Sequence, residues 1–498
     1  MTSILSPSFP VALSIDLGTS AVKALLVDPR GQVRAQSSRP TPIITPRQVA
    51  PLGREMRPHQ VLRAVQQAAR AVLLQWPSAQ VAVVALTSMR QGIALLDRDG
   101  REVYLGPNID LRAVFEGGAL DEAYGDIIYR TTGHLPSLFF PWSRLLWLRK
   151  HHPRAYERGA TLLTVADWLA YHLTGIMGVE VALAGEAGLL DIGERRWATA
   201  LARTLGLRDD WFPPLAQASA VRGGLNKEGA SLLGLPEGTP VVVAGPDTQC
   251  ALLAAGACQA WQLGVVLGWS TAVQLLTPSP RFGIVPRTWV GTFPDGVLWT
   301  AEANAGDGGR ALQWVVETLY GKGAQAWVRL ARDVERVEAG SDGVRAFLGP
   351  DALDLSHPGV RLGGWLLPVP LSFSPLGRGH LARATLENLA FAVRACVELL
   401  EEVAGDKVKG VHLAGGLLRL PSLAPILASV LGKVVEVAPH PSASALGAAL
   451  VALRNLGVSQ EPLPLDTCVP RPEWVMLYAD LYQAWRKGEQ GLGAIGLG

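Results

Sequence analysis

Two aspartates stand where apolar segments end. Val11 to Ile15 is a strand-like run that leads into Asp16-Leu17-Gly18-Thr19-Ser20, with Lys23 just beyond. A carboxylate at a strand end, then a glycine without Cβ and two hydroxyls, can receive a hydrated metal and phosphate oxygens together. Taken alone, such a turn is equally well explained by the ordinary turn chemistry of Asp and Gly. The plan repeats about half the chain later. Pro240 to Ala244 is apolar and delivers Gly245-Pro246-Asp247, and Gly268-Trp269-Ser270-Thr271 adds a second turn of glycine and hydroxyls. An ionisable group at the end of a buried segment costs desolvation energy and so needs a reason to be there. Two such halves point to a ligand held between them.

The elements that must position these residues belong to a long chain. Its 498 residues exceed one ordinary core, so two domains of roughly 200 to 250 residues are expected. Hydrophobic residues make up 49%, charged residues 18%, and the net charge is +2. That composition excludes a disordered chain and a polybasic nucleic-acid surface, and favours a small neutral partner. Met1 to Pro10 lacks the basic and apolar regions of a signal peptide, so a cytoplasmic enzyme is expected. Cys250, Cys258, Cys396 and Cys468 show no CxxC spacing, and the first three read as buried thiols. The apolar stretch Val241 to Val273 is broken by Pro246, Asp247, Gln249 and glycines, so no membrane span is expected.

Strand-like and helix-like runs alternate, which predicts an α/β architecture. Val11 to Val27 and Val33 to Ser37 read as a three-stranded antiparallel start, and Arg57 to Leu74 as a helix. Val81 to Leu86 is then a strand ending at Thr87 to Gly92. Leu145 to Leu173 reads as helical, with Trp147, Trp168 and Tyr171 filling core. Further on, Asp307 to Leu319 and Arg378 to Val403 read as helices. Lys409 to Leu413 is a strand ending at Gly415-Gly416, followed by helix Pro421 to Leu431, strand Val434 to Val437 and helix Ser442 to Leu453. The likeness between the halves is one of architecture, with no visible duplication of sequence.

These residues carry a family resemblance. Asp16-Leu-Gly-Thr-Ser20 with Lys23, Gly245-Pro-Asp247 and Gly415-Gly416 resemble the first phosphate turn, the catalytic aspartate and the adenosine turn of the FGGY carbohydrate kinases. Thr87-Ser-Met-Arg-Gln-Gly92, Asn108-Ile-Asp-Leu-Arg112, Tyr129-Arg-Thr-Thr-Gly133, Arg144-Leu-Leu-Trp147 and Asp167-Trp-Leu-Ala-Tyr171 are most similar to its autoinducer-2 kinase branch, with xylulose kinases sharing less. The resemblance implies two actin-like (ribonuclease H-like) α/β domains with an interdomain cleft. Residues 1–240 would form the sugar-binding domain, and residues 241–498 the nucleotide-binding domain carrying the catalytic aspartate.

It further implies ATP-dependent phosphorylation of a hydroxyl of a small sugar, polyol or autoinducer-2-like substrate. Asp247 would take the hydroxyl proton and Asp16 would hold Mg²⁺. Arg90, Gln91, Asn108, Asp110, Phe139, Asp247 and Thr248 would contact the substrate. Gly18, Thr19, Ser20, Lys23, Gly268, Trp269, Ser270, Gly309, Gln313, Gly415, Gly416 and Leu417 would contact the nucleotide. Members are often homodimers, so the resemblance makes a homodimer one possible assembly here.

The chain leaves the family pattern at named places. Gln91 stands where the family's Arg-Glu pair has an acid, Trp269 where threonine is usual, Leu417 where a third glycine is common, and Ser442 where glutamate is frequent. A Trp269 indole would crowd the γ-phosphate, and a Leu417 side chain would narrow the adenine site. Between Pro368 and Arg378 the chain is also shorter than its relatives. These departures leave a second reading open, that of a catalytically degenerate sugar-binding or sensing protein that keeps the kinase fold.

Overall fold

Every residue from Val11 to Leu17 is buried, because strand Pro10–Leu17 lies inside a sheet covered on both faces. It pairs antiparallel with Ala21–Val27, which pairs antiparallel with Val33–Pro40. On its other edge it runs parallel to Gln80–Ser88, which runs parallel to Pro240–Pro246, and Val221–Gly224 closes the sheet antiparallel. Helix Pro58–Gln75 buries Val61, Ala64, Val65, Ala68, Ala69 and Val72 at the spacing of one helix face. Helix Ala443–Asn455, from far along the chain, packs on Pro10–Leu17 and Gln80–Ser88.

The computed structural model describes residues 10–217, 220–349, 362–369, 376–458 and 463–494. It divides into two units. The first comprises 1–254, 278–300 and 442–463, and the second 255–277, 301–441 and 464–498, within those described limits. In the second unit Gln262–Leu267 forms an antiparallel hairpin with Thr271–Thr277 and runs parallel to Gly410–Ala414. Gly410–Ala414 is parallel to Val435–Val437, beside which Asp466–Cys468 is antiparallel. Helix Arg378–Ala404 is buried along most of its length in this unit's core. Each unit thus repeats one plan, a hairpin whose first strand is extended by parallel strands.

Several expectations shift. Strand Pro240–Pro246 and Asp247 belong to the first unit, since the strand pairs with Gln80–Ser88. The units therefore do not divide at 240/241. Residues 145–173 are not one helical run: helices Pro141–His151 and Pro153–Arg158 meet at a proline, and strand Thr161–Thr164 precedes helix Val165–Thr174. Proline suits a first helical position and closes the helix before it. Cys258 is exposed, while Cys250 and Cys396 are buried as expected. Most of the shortened stretch between Pro368 and Arg378 lies outside the described residues.

Candidate active site

In the first unit three parallel strands end on one rung: Asp16 lies opposite Thr87, and Thr87 opposite Gly245. The Thr87 hydroxyl donates to the Gly245 carbonyl at 2.8 Å and ties the ends together. Carboxyl ends of parallel strands are where α/β sheets present ligands. Gly245 has φ +119°, and a side chain there would meet the Pro294 ring, so only glycine turns the chain towards Asp247. Asp247 begins helix Asp247–Ala254, and the Thr248 backbone N–H donates to its Oδ1 at 2.8 Å.

Asp16 and Asp247 feel each other. Burial and the Asp16 charge push the Asp247 carboxyl up to about 6, against the pull of Arg90 and Lys23. Burial likewise raises Asp16, opposed by Lys23, whose Nζ lies 3.6 Å from Asp16 Oδ2. Asp16 Oδ1 is buried with no hydrogen-bond partner among the described residues. Gly18 closes the turn by donating its N–H to the Ala21 carbonyl at 3.1 Å, and Thr41 Oγ1 donates to the Gly18 carbonyl at 2.7 Å. Thr19 Oγ1 donates to Asn108 Oδ1 at 2.8 Å, which joins the predicted phosphate turn to a predicted sugar-binding residue. Ser20 is exposed beside it.

The remaining predicted sugar residues divide. Arg90 is buried, holds Glu186 at 2.7 Å and lies 5.8 Å from the Trp289 ring. Gln91 adopts φ +57°, donates to the Glu186 carbonyl at 3.2 Å, and accepts on its own carbonyl from Arg144. Phe139 meets Trp289 edge to face at 6.5 Å. Asp110 is held by its neighbours. Its oxygens accept from Tyr104, from Arg112 Nε at 2.7 Å and from the Arg54 N–H at 2.8 Å, so it holds three segments together.

Glu186, His134 and Trp289 escaped sequence reasoning. Glu186 ends helix Val181–Glu186, whose first turn is capped by Glu180 accepting from the Ala182 and Leu183 N–H groups. Burial pushes Glu180 up to about 8. The available signal was a pair of glutamates inside the apolar run Gly178 to Leu190. Glu186, from a distant segment, thus pairs its carboxylate with Arg90 and its carbonyl with Gln91.

The second unit carries the predicted nucleotide residues. The Trp269 carbonyl accepts from the Gly309 and Arg310 N–H groups, at 3.1 and 3.2 Å, at the start of helix Gly308–Leu319. A Cβ on Gly309 would run into the Gly268 carbonyl, and one on Gly415, at φ +114°, into the Leu267 backbone. Gly416 faces open space. Ser270 is exposed and its carbonyl accepts from the Gly268 N–H at 3.2 Å. The Trp269 ring is 50% exposed and lies 5.5 Å from the Arg310 guanidinium. Leu417 packs against the core of its own unit, which accounts for its side chain. Gln313 Nε2 donates to Glu317 at 2.6 Å along the same helix.

Carboxylates at strand ends, a nearby arginine and glycine turns are the equipment of a phosphotransferase, whose chemistry asks chiefly for positioning and charge. Comparison with known proteins agrees. A family model for the N-terminal domain of the FGGY family of carbohydrate kinases matches residues 11–254, and one for the C-terminal domain matches 263–456. The chain is 27% identical over 480 residues to the putative sugar kinase YoaC of Bacillus subtilis (strain 168), covering 96% of each. It is 30% identical over 439 residues to the autoinducer-2 kinase of Enterobacter sp. (strain 638), covering 82% of this chain and 80% of the other. The fold matches xylulose kinase from Rhodospirillum rubrum with a TM-score of 0.82 at 24% identity, covering 97% and 99% of the two chains. It also matches Plasmodium falciparum glycerol kinase with ADP, at 0.80 and 15%, covering 97% and 98%. The chain belongs to the FGGY family of carbohydrate kinases and is an enzyme that transfers a phosphoryl group to an alcohol.

Proposed function

We propose that the protein uses ATP to phosphorylate a hydroxyl of a small sugar, polyol or autoinducer-2-like substrate, with Asp247 as general base. The observation that carries this reading is the Asp16–Asp247 pair at the ends of buried strands, with Asp247 raised to about 6. A base poised near the working pH is both ionised and able to take a proton. Asp247 would accept the hydroxyl proton as that oxygen bonds to the γ-phosphorus, while the bond to the β–γ bridging oxygen breaks and ADP leaves. Arg90 would steer substrate oxygens and moderate the carboxylate charge. In the second unit, the exposed backbone at Gly416 would admit the nucleotide closely, because no side chain stands there, while Gly309 and Gly415 let the flanking turns close on the Gly268 and Leu267 backbones.

Asp16 fits Mg²⁺. Its buried, unpartnered Oδ1 is a hard anionic donor of the kind a hydrated magnesium ion takes. No cluster of three or more metal-binding side chains occurs among the described residues, so the ion would come with the nucleotide phosphates. When bound, it neutralises phosphate charge.

The test is a coupled ADP-release assay with ATP and Mg²⁺ over glycerol, C4 to C6 polyols, ketoses and 4,5-dihydroxy-2,3-pentanedione. Turnover with at least one of them is expected. Measurable sugar binding without any turnover would overturn this reading in favour of a degenerate sensor.

A further inference from the structure

His134 is 1% exposed, yet one ring nitrogen finds no hydrogen-bond partner among the described residues. Its Nδ1 lies 2.6 Å from the Thr132 carbonyl oxygen, which can only accept, so Nδ1 carries the hydrogen. Burial, assisted by the positive charge of Arg90, drives the imidazole down to about 3, so the ring is neutral. Nε2 is therefore a lone-pair acceptor. It is buried without a donor among the described residues. Its ring neighbours supply none: Phe140, 4.8 Å away, has no polar atom, and the N–H of Trp289, 5.9 Å away, is committed to the Leu135 carbonyl at 2.6 Å.

Such an acceptor calls for an explanation, because a buried polar group left unpaired costs more than a hydrogen bond returns. The loop is also firmly placed. The Val290 N–H donates to the Gly133 carbonyl at 2.9 Å, and the Tyr129 hydroxyl donates to the Thr288 carbonyl at 2.9 Å. Trp289 connects His134 to Arg90, which lies over the same indole and whose charge acts on Asp247.

We propose that His134 is a specificity-determining residue whose Nε2 accepts a hydrogen bond from a substrate hydroxyl, on the Trp289 side of Arg90. This deepens the kinase reading and rests on it for the identity of the ligand. A neutral acceptor selects a hydroxyl over a carbonyl or carboxylate oxygen at that position, since those groups bring no proton and would leave Nε2 unpaired. The substrate class is then a polyol or a hydrated carbonyl carrying a free hydroxyl there.

Two variants separate this role from packing. His134→Asn places an amide N–H where Nδ1 serves Thr132 and removes the Nε2 acceptor. His134→Gln reaches the Nε2 position with an amide oxygen and gives up the Thr132 bond. Binding of glycerol, xylitol, D-xylulose and 4,5-dihydroxy-2,3-pentanedione to the full chain is measured calorimetrically without ATP. His134→Asn is expected to melt near wild type yet lose about tenfold or more in affinity, and His134→Gln to melt lower yet retain affinity. In protein carrying ¹⁵N-histidine, the bound polyol should move the His134 Nε2 resonance and leave Nδ1 in place. Wild-type affinity in His134→Asn, or an unmoved Nε2 signal, would show that water satisfies the imidazole and overturn the inference while turnover stands. Binding that depends on His134 without turnover would sink the kinase reading alone, and no binding by wild type would sink both.

Discussion

At Asp247, the proposed base, burial that raises the carboxyl also burdens the fold. Its carboxyl sits at about 6 in the folded chain against 3.8 for an ordinary aspartate. The proposed base acts in its deprotonated form, so kcat/KM for the sugar should fall on the acid side with an inflection near pH 6, as a pH–rate profile will show. For stability the sign is opposite. Below the unfolded value both states are protonated and nothing is lost; as pH rises through about 6, folding must bury a charge beside Asp16 and stability drops. Asp247→Asn removes that cost. It should cut turnover by about 10² or more with sugar affinity nearly unchanged, and melt above wild type at pH 7.5, by a margin that closes towards pH 4. A variant that melts lower at pH 7.5 would show the carboxylate to be structurally favourable. On the nucleotide side, Trp269→Thr should lower the Michaelis constant for ATP by removing an exposed indole; a rise would make the Trp269–Arg310 pair a working part of the site.

Glycine turns are set by neighbouring elements. Gly309 opens helix Gly308–Leu319 directly against the Gly268 carbonyl, and its N–H caps the Trp269 carbonyl. Gly309→Ala must displace one of the two backbones, an overpacking cost of about 1 to 3 kcal/mol. Steady-state kinetics should show a raised KM for ATP with the sugar KM little changed; equal rises in both would mean a general loss of structure. Helix Val181–Glu186 illustrates the reverse case. It spans few residues, its cap is an unusual glutamate, and its last residue is the acid that meets Arg90. Short elements of this kind give no periodic signal, so the position of Glu186 was not legible. The longer ones were: Pro58–Gln75, Gln80–Ser88 and Arg378–Ala404 fall within a residue or two of expectation.

Across the molecule, chain order and compact units do not coincide. Helix Ala443–Asn455 packs on helix Asp247–Ala254 and on the central strands of the first unit. A Cβ at Gly447 would strike the Cys250 carbonyl, so the two helices approach at backbone distance. A fragment ending at residue 254 therefore lacks a buried layer, including Ala445, Leu446, Ala448 and Ala449. It should give no cooperative thermal transition, measured by calorimetry or circular dichroism. A sharp two-state melt of that fragment would show that the helix is dispensable to the first core.

The sequence by itself determined which charged and glycine residues stand at strand ends. The strand-end positions of Asp16, Asp247 and the glycines at 18 and 415 are legible because a local pattern, apolar strand followed by carboxylate or glycine, is the cause of their placement. Only the tertiary structure decided which distant groups serve them. Asp110, in a motif that suggested sugar contact, is bound by Tyr104, Arg112 and Arg54. Glu186 pairs with Arg90, and His134 lies beside Trp289. Such pairings depend on close approach between segments far apart in the chain. Side-chain charge and burial act through space, and no spacing along the sequence records them.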